Sequence, residues 1–315
     1  MKLARRTASL TGSAVLLVAL AACGSSSGSS HSSGTGTAAA AGKVSCPKGG
    51  TMRMATEPFE DPAKLTPAFQ LVGKSLGKAL GCKVQTSIVS DYSAEVVAMR
   101  NNKLDVAEFG PLGFVFASQQ ANAQAVASFG DSTGKLSTYK AGIWVPRNSS
   151  ITTVAQLKGK SLALSSVGST SGDAFPRFAL RSAGLKDSDL KLTYAGGHPQ
   201  SLLALKNGKV DAAEINTQQL ATATAAKQFD PSKFRQIWTS APIPNDPITL
   251  RSSLSPAFKA AVTKALLNLP PSDIAKLGAL LDVEPAGPLV TVSKTTYQPL
   301  FSLARTLGLT AKDAG

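Results

Sequence analysis

Residues 91–110 read DYSAEVVAMRNNKLDVAEFG, and residues 197–216 read GHPQSLLALKNGKVDAAEIN. At a constant offset of 106 positions, Asn101-Asn102-Lys103-Leu104-Asp105-Val106-Ala107-Glu108 falls on Asn207-Gly208-Lys209-Val210-Asp211-Ala212-Ala213-Glu214. Each copy carries apolar residues at helical spacing, then a polar turn, then a short apolar strand. Further strand patterns stand at residues 51–56, 83–89 and 161–166. Each half therefore reads strand, helix, strand, helix, strand, which places helices on both faces of a mainly parallel sheet. The expectation is an α/β protein of two similar lobes. Leu65, Phe69, Val72, Leu76 and Leu80 form one helical core stripe, and Phe175, Phe178, Ala179 and Ala183 ahead of Gly184 form another.

Breaks after Pro146 and at residues 243–249, IPNDPIT, mark two crossings between the lobes, near 143–150 and 243–250. Lobe 1 is expected to comprise residues 48–145 and 249–315, lobe 2 residues 146–248. Phe258, Val262, Ala265 and Leu266 would pack the C-terminal part back on lobe 1.

Ahead of this repeat, Lys2, Arg5 and Arg6 precede an apolar stretch over residues 14–22, the layout of a secretory signal. About nine residues cannot cross ~30 Å of hydrocarbon. The stretch ends Leu20-Ala21-Ala22-Cys23, which resembles a bacterial lipobox and implies lipidation of Cys23 after removal of residues 1–22. Arg5-Arg6 also occurs in twin-arginine signals, but the residues after it fit that pattern poorly. Residues 23–47, rich in Ser, Gly and Ala, read as a tether. The protein is then expected on the extracytoplasmic side of the cell membrane, held by its lipid anchor. Two cysteines remain, Cys46 and Cys82, each just before a strand pattern. Neighbouring parallel strands would bring them together as a disulfide, with two free thiols as the alternative.

Setting Lys2, Arg5 and Arg6 aside takes the formal charge from +14 to +11. Such a surface suits a small anion, an acidic envelope or nucleic acid. Export and the lack of clustered Lys/Arg with interleaved aromatics argue against nucleic acid.

Between the apolar run at 161–164 and the helical pattern from Ala174 stands Gly168-Ser169-Thr170-Ser171-Gly172. Ligands of open α/β sheets sit beyond the carboxyl ends of strands, where loops lead into helix N-termini. Three roles fit this segment: a helix cap, an anion cradle or a nucleophile. One cap needs one hydroxyl, and three in succession at a helix start favour the cradle. Ser169, His198 and Asp246 supply the residue types of a catalytic triad. However, Thr170 holds the central elbow position, and the order Ser, His, Asp differs from that of the α/β-hydrolases. No metal-ligand spacing and no cofactor motif is visible, since His198 is the only histidine outside the tether.

The segments NNKLDVAEFGP, KGKSLALSSVGSTSG, GGHPQSLLALKNGKVDAAEIN and IPNDPITLRSSL occur in order between about residues 50 and 267. Together they resemble the phosphate/phosphite/phosphonate substrate-binding proteins of ABC importers. The resemblance implies a two-lobed periplasmic-binding-protein fold of type II, with ligand in the cleft between lobes. It also implies a monomer without catalysis that hands a phosphorus oxyanion to a membrane permease. The implied ligand shell is Tyr92, Tyr139, Ser169, Thr170, Ser171, His198 and Asp246. Tyr92 and His198 are themselves related by the 106-residue offset, so each stands at the same loop of its own half. Packing with a wet hydroxyl is the alternative for Tyr92 and Tyr139. Asp246 would accept the proton of a monoprotonated ligand or pair with a ligand ammonium, unless it serves only as a turn residue before Pro247. Glu214 is expected to share that second task. The turn after Gly110 lacks the Tyr or Ser found in several relatives, which would favour a substituent on phosphorus. Other ligands kept open are a sulfonate, a vitamin precursor or another amine-bearing molecule, and the alternative from another class is a lipid-anchored serine hydrolase.

Overall fold

The computed structural model describes residues 45–310. The expected signal, Cys23 and most of the tether lie outside them. The strands are β1 (Thr51–Thr56), β2 (Lys83–Ile88), β3 (Val106–Glu108), β4 (Gln124–Phe129), β5 (Thr138–Tyr139), β6 (Gly142–Pro146), β7 (Ser161–Leu164), β8 (Lys191–Tyr194), β9 (Ala212–Glu214), β10 (Phe234–Thr239), β11 (Ile243–Pro244), β12 (Ile248–Leu250) and β13 (Leu289–Thr291). The helices are α1 (Pro62–Leu80), α2 (Tyr92–Arg100), α3 (Pro111–Ala121), α4 (Phe175–Ser182), α5 (His198–Lys206), α6 (Thr217–Ala225), α7 (Pro256–Leu267), α8 (Pro271–Leu280) and α9 (Gln298–Leu307).

Two larger sheets organise these elements. One runs β13-β4-β12-β3-β1-β2 and the other β10-β6-β9-β7-β8. In each, three strands are parallel, β2-β1-β3 and β8-β7-β9. An antiparallel strand then joins the third, β12 beside β3 and β6 beside β9. Both joining strands are delivered by the far half of the chain or its connection, so the internal duplication alone did not announce them. A small ladder of β5 with β11, Tyr139 opposite Ile243, ties the two connections together.

The 106-residue offset holds in burial as well as in sequence. On α2 the buried residues are Tyr92, Glu95, Val96 and Met99, and on α5 they are His198, Ser201, Leu202 and Leu205. Val97 and Leu203, also equivalent, are 41% and 49% exposed. The stripe on α1 packs under the first sheet with Phe258, Val262 and Leu266 of α7. A separate cluster around Leu162, Leu164, Ala179 and Leu180 fills the second.

The passage between sheets begins earlier than expected. Residues 142–146 form β6, which pairs with both β9 and β10, so the chain has entered the second sheet before Pro146. Pro146 caps the end of that strand, where its missing N–H costs no ladder bond. Cys46 and Cys82 are joined as a disulfide with Cα atoms 5.8 Å apart. The parallel register of Thr51 with Lys83 brings them to one end of the sheet.

Candidate functional site

Loops at the carboxyl ends of β1, β3 and β7 meet the N-termini of α2 and α5 around a tight cavity of about 10 Å³, room for roughly one water. Tyr92, Tyr139, Ser169, Thr170, Ser171, His198 and Asp246 all line it. Glu57, Phe59, Gly110 and Gln218 complete the wall, and no Lys or Arg is among the lining residues. The sequence reading missed Glu57, Phe59 and Gln218, whereas it placed the turn after Gly110 beside the ligand. Glu57 carried one usable signal, because it directly follows the carboxyl end of β1.

The hydroxyl segment is built for donation. Ser169, with an unstrained backbone (φ −64°, ψ 133°), caps a wide turn over Thr170–Ala174 that runs into α4. Its Oγ accepts the Gly172 N–H at 3.2 Å. Thr170 Oγ1 accepts the Leu112 N–H at 2.9 Å from the start of α3, and Ser171 Oγ accepts from Asn216 Nδ2 at 3.0 Å. Each oxygen is thus fixed by an arriving N–H; the Thr170 and Ser171 hydroxyls keep their protons for another acceptor, and Ser169 shares a hydrogen bond with His198. The helical pattern expected from Ala174 meets α4 at Phe175. Gly172 is required by close approach, since a Cβ there would collide with Ser165 Oγ and the His198 ring.

His198 Nε2 lies 3.2 Å from Ser169 Oγ, and its Nδ1 lies 2.8 Å from Glu214 Oε1. The acidic partner of His198 is therefore Glu214, and the Ser169–His198–Asp246 grouping is not the one formed. Ser169 Oγ, occupied as a cap, also lacks the exposed, strained setting of a nucleophile elbow. Glu214 does not line the cavity and acts through His198. Burial pulls the His198 imidazolium down, but Glu214, then Glu60 and Asp246, together hold the group above its ordinary value.

Asp246 is positioned through its backbone. Ser128 Oγ donates to the carbonyls of Asn245 and Asp246 at 3.0 and 2.9 Å, and Tyr297 OH donates to Asn245 O at 2.7 Å. Gln218 Nε2 reaches across from α6 to Asn245 Oδ1 at 3.0 Å. Burial pushes the Asp246 carboxyl up to about 7, against the pull of His198. Burial also pushes Tyr92 and Tyr139 well above the usual phenol range, so both remain hydroxyl donors. Tyr92 lines the cavity beside Ser169, and Tyr139 beside Thr170 and Ser171. The result is a small chamber of neutral donors with one imidazole and two carboxyls, suited to a tetrahedral oxyanion. Among the described residues no group of His, Cys, Asp and Glu is arranged to hold a metal ion, and no helix is long and apolar enough to cross a membrane.

Residues 54–297 match the family model described as ABC transporter, phosphonate, periplasmic substrate-binding protein. The phosphonates-binding periplasmic protein of Escherichia coli is 31% identical over 214 residues, 66% of this chain and 63% of that protein. The phosphate-import protein PhnD of Mycolicibacterium smegmatis is 27% identical over 219 residues, 65% of this chain and 68% of that one. The chain thus matches just under two thirds of the length of the first relative. Among solved structures, PhnD1 from Prochlorococcus marinus in complex with methylphosphonate superposes with a TM-score of 0.71 at 22% identity, covering 82% of this chain and 98% of that one. With the match running through every segment that lines the cavity from Glu57 to Asp246, the chain belongs to the family of periplasmic substrate-binding proteins of phosphonate ABC transporters.

Proposed function

We propose that this protein captures a small phosphorus oxyanion, a phosphonate, phosphite or phosphate, in the cavity between its two sheets and delivers it to an ABC permease without chemical change. The observation that carries the reading is the row Ser169, Thr170 and Ser171 on the cavity wall, each oxygen fixed by an N–H, with the Thr170 and Ser171 protons left to donate. Asp246 favours phosphorus over sulfur. A carboxyl poised near neutrality can share a proton with a monoprotonated phosphorus acid, whereas a sulfonate brings none. Tyr92, Tyr139 and His198 complete the donor set, with Glu214 holding the imidazole. Lobe 1 is built on the six-stranded sheet and lobe 2 on the five-stranded sheet, with the moving connections around β5 and β11. The lipobox-like residues ending at Cys23 support anchoring to the outer side of the cell membrane, and the protein works there as a monomer.

Titration calorimetry of the purified protein with methylphosphonate, phosphite, phosphate and an alkanesulfonate tests this. Saturable one-to-one binding of at least one phosphorus anion, with the sulfonate weaker, is expected. A sulfonate that binds more tightly than all three refutes the phosphorus assignment.

A further inference from the structure

We infer that Glu57 is a further ligand-binding residue, a neutral carboxylic acid that donates a hydrogen bond to the captured oxyanion. This rests on the phosphorus-oxyanion reading above. Glu57 is buried, lines the cavity and packs against Gly110, where a Cβ would run into Oε1. Its Oε2 is buried with no protein partner. An orphaned polar atom on a residue that lines a ligand chamber needs an explanation.

The surrounding charges supply it. Asp246 faces Glu57 from the loop before β12, Glu108 from the end of β3, and Glu95 from α2. Tyr92 and Tyr139 stand beside it as hydroxyls, and His198 is already engaged by Glu214. No Lys or Arg lines the cavity. Four buried carboxyls with no free cation do not all ionise, and the protons they keep belong to the group. Burial and then Asp246 hold Glu57 well above the usual carboxylate range, while Asp246, drawn down by His198, is pushed only to about 7. Of the four, Glu57 and Asp246 line the cavity, so a proton kept on Glu57 is one the ligand can meet. An ionised Glu57 would repel the ligand, whereas its acid form places an O–H where Oε2 now lacks a partner. The two carboxyls then divide the work: Glu57 donates to one ligand oxygen, and Asp246 accepts from another that carries a proton.

Affinity should be full below the titration of Glu57 and fall as pH rises through it. Calorimetry with methylphosphonate and with phosphite, from pH 6.5 to 9.5, is run on the parent, Glu57→Gln and Glu57→Leu, with thermal unfolding to confirm that each variant is folded. Glu57→Gln carries a permanent N–H donor, so it binds several-fold more tightly than the parent at the alkaline end. Glu57→Leu binds at least tenfold more weakly than the parent at pH 7. The inference fails alone if the parent binds but Glu57→Gln loses tenfold or more at pH 7, or if Glu57→Leu matches the parent. If the parent binds neither anion at any pH, the phosphorus reading fails and this inference with it.

Discussion

Glu108 and Glu214 end equivalent strands 106 residues apart, and their surroundings differ. Glu214 meets His198 at 2.8 Å, and His198 in turn meets Ser169. Glu108 has Tyr92 in place of a histidine at the equivalent sequence position, and neither of its carboxyl oxygens has a protein partner. One helical turn further on, Ser201 donates to the carbonyls of Ala163 and Glu214, while its counterpart Glu95 has both oxygens unpartnered. The same backbone thus carries two electrostatic solutions. The second lobe neutralises its buried carboxylate with an imidazole, and the first stacks acids that must keep protons. An anion arriving between them meets neutral donors on one side and a histidine that is already balanced on the other.

Opposite signs at equivalent positions are the sharpest test. Glu214→Ala leaves the His198 imidazolium buried without its partner and should cost about 3–5 kcal/mol of stability at pH 6. Because the folded value for His198 is raised, this contribution is full below its unfolded value and fades as pH rises through the raised one. Urea unfolding at pH 6 and 9 measures it. A loss equal at both pH values means that His198 is never charged in the folded protein.

Thr170→Ala comes next in size. It removes one charge-assisted hydrogen bond to the oxyanion, about 1.5–3 kcal/mol, so affinity for methylphosphonate or phosphite should fall about 10- to 150-fold. Calorimetry at pH 7 decides the matter. Unchanged affinity would reduce Thr170 to its bond with the Leu112 N–H.

Glu108→Gln should move stability the other way. Burial, then Asp246, raises the folded value of Glu108, so folding of the parent weakens as pH climbs above the ordinary carboxyl range. The amide removes that titration and should gain about 1–3 kcal/mol at pH 8, with no difference at pH 4. A loss at pH 8 in urea unfolding would mean that the Glu108 carboxylate has an ionic partner, and the contrast with Glu214 would disappear.

The features legible in the sequence are those carried by periodicity or by adjacent side chains. The repeated segments specified the parallel strands β3 and β9, separate apolar runs specified β1, β2 and β7, and the row Ser169-Thr170-Ser171 needed no fold to be noticed. The antiparallel neighbours β12 and β6 were not readable, because a strand of three to five apolar residues, as in Ile248–Leu250 or Gly142–Pro146, does not encode its direction. Glu57, Phe59 and Gln218 sit in loops or at a helix start with no period, so only three-dimensional convergence places them on the cavity. The partner of His198 illustrates the same limit. Glu214 and Asp246 were equally available by type, and the choice follows from β9 lying beside β7, which carries the serine loop.

The smallest expected effect concerns Asp246. With its carboxyl pushed up to about 7, the ligand and Asp246 together hold one proton in the complex. Below pH 7 that proton is already present, and Asp246→Asn replaces a charge-assisted bond by a neutral one. The cost is one ordinary hydrogen bond, about 0.5–1.5 kcal/mol, or roughly 2- to 12-fold in affinity. Above pH 7 the parent must take up a proton to bind, so its affinity declines. The asparagine can instead donate its N–H to the fully ionised ligand and is spared that uptake. The two affinity profiles should therefore converge and then cross as pH rises, and calorimetry in buffers of different ionisation enthalpy should show less proton uptake for Asp246→Asn. Parallel profiles from pH 6 to 9 would show that Asp246 does not share the ligand proton and that its carboxyl serves only to shape the turn before Pro247.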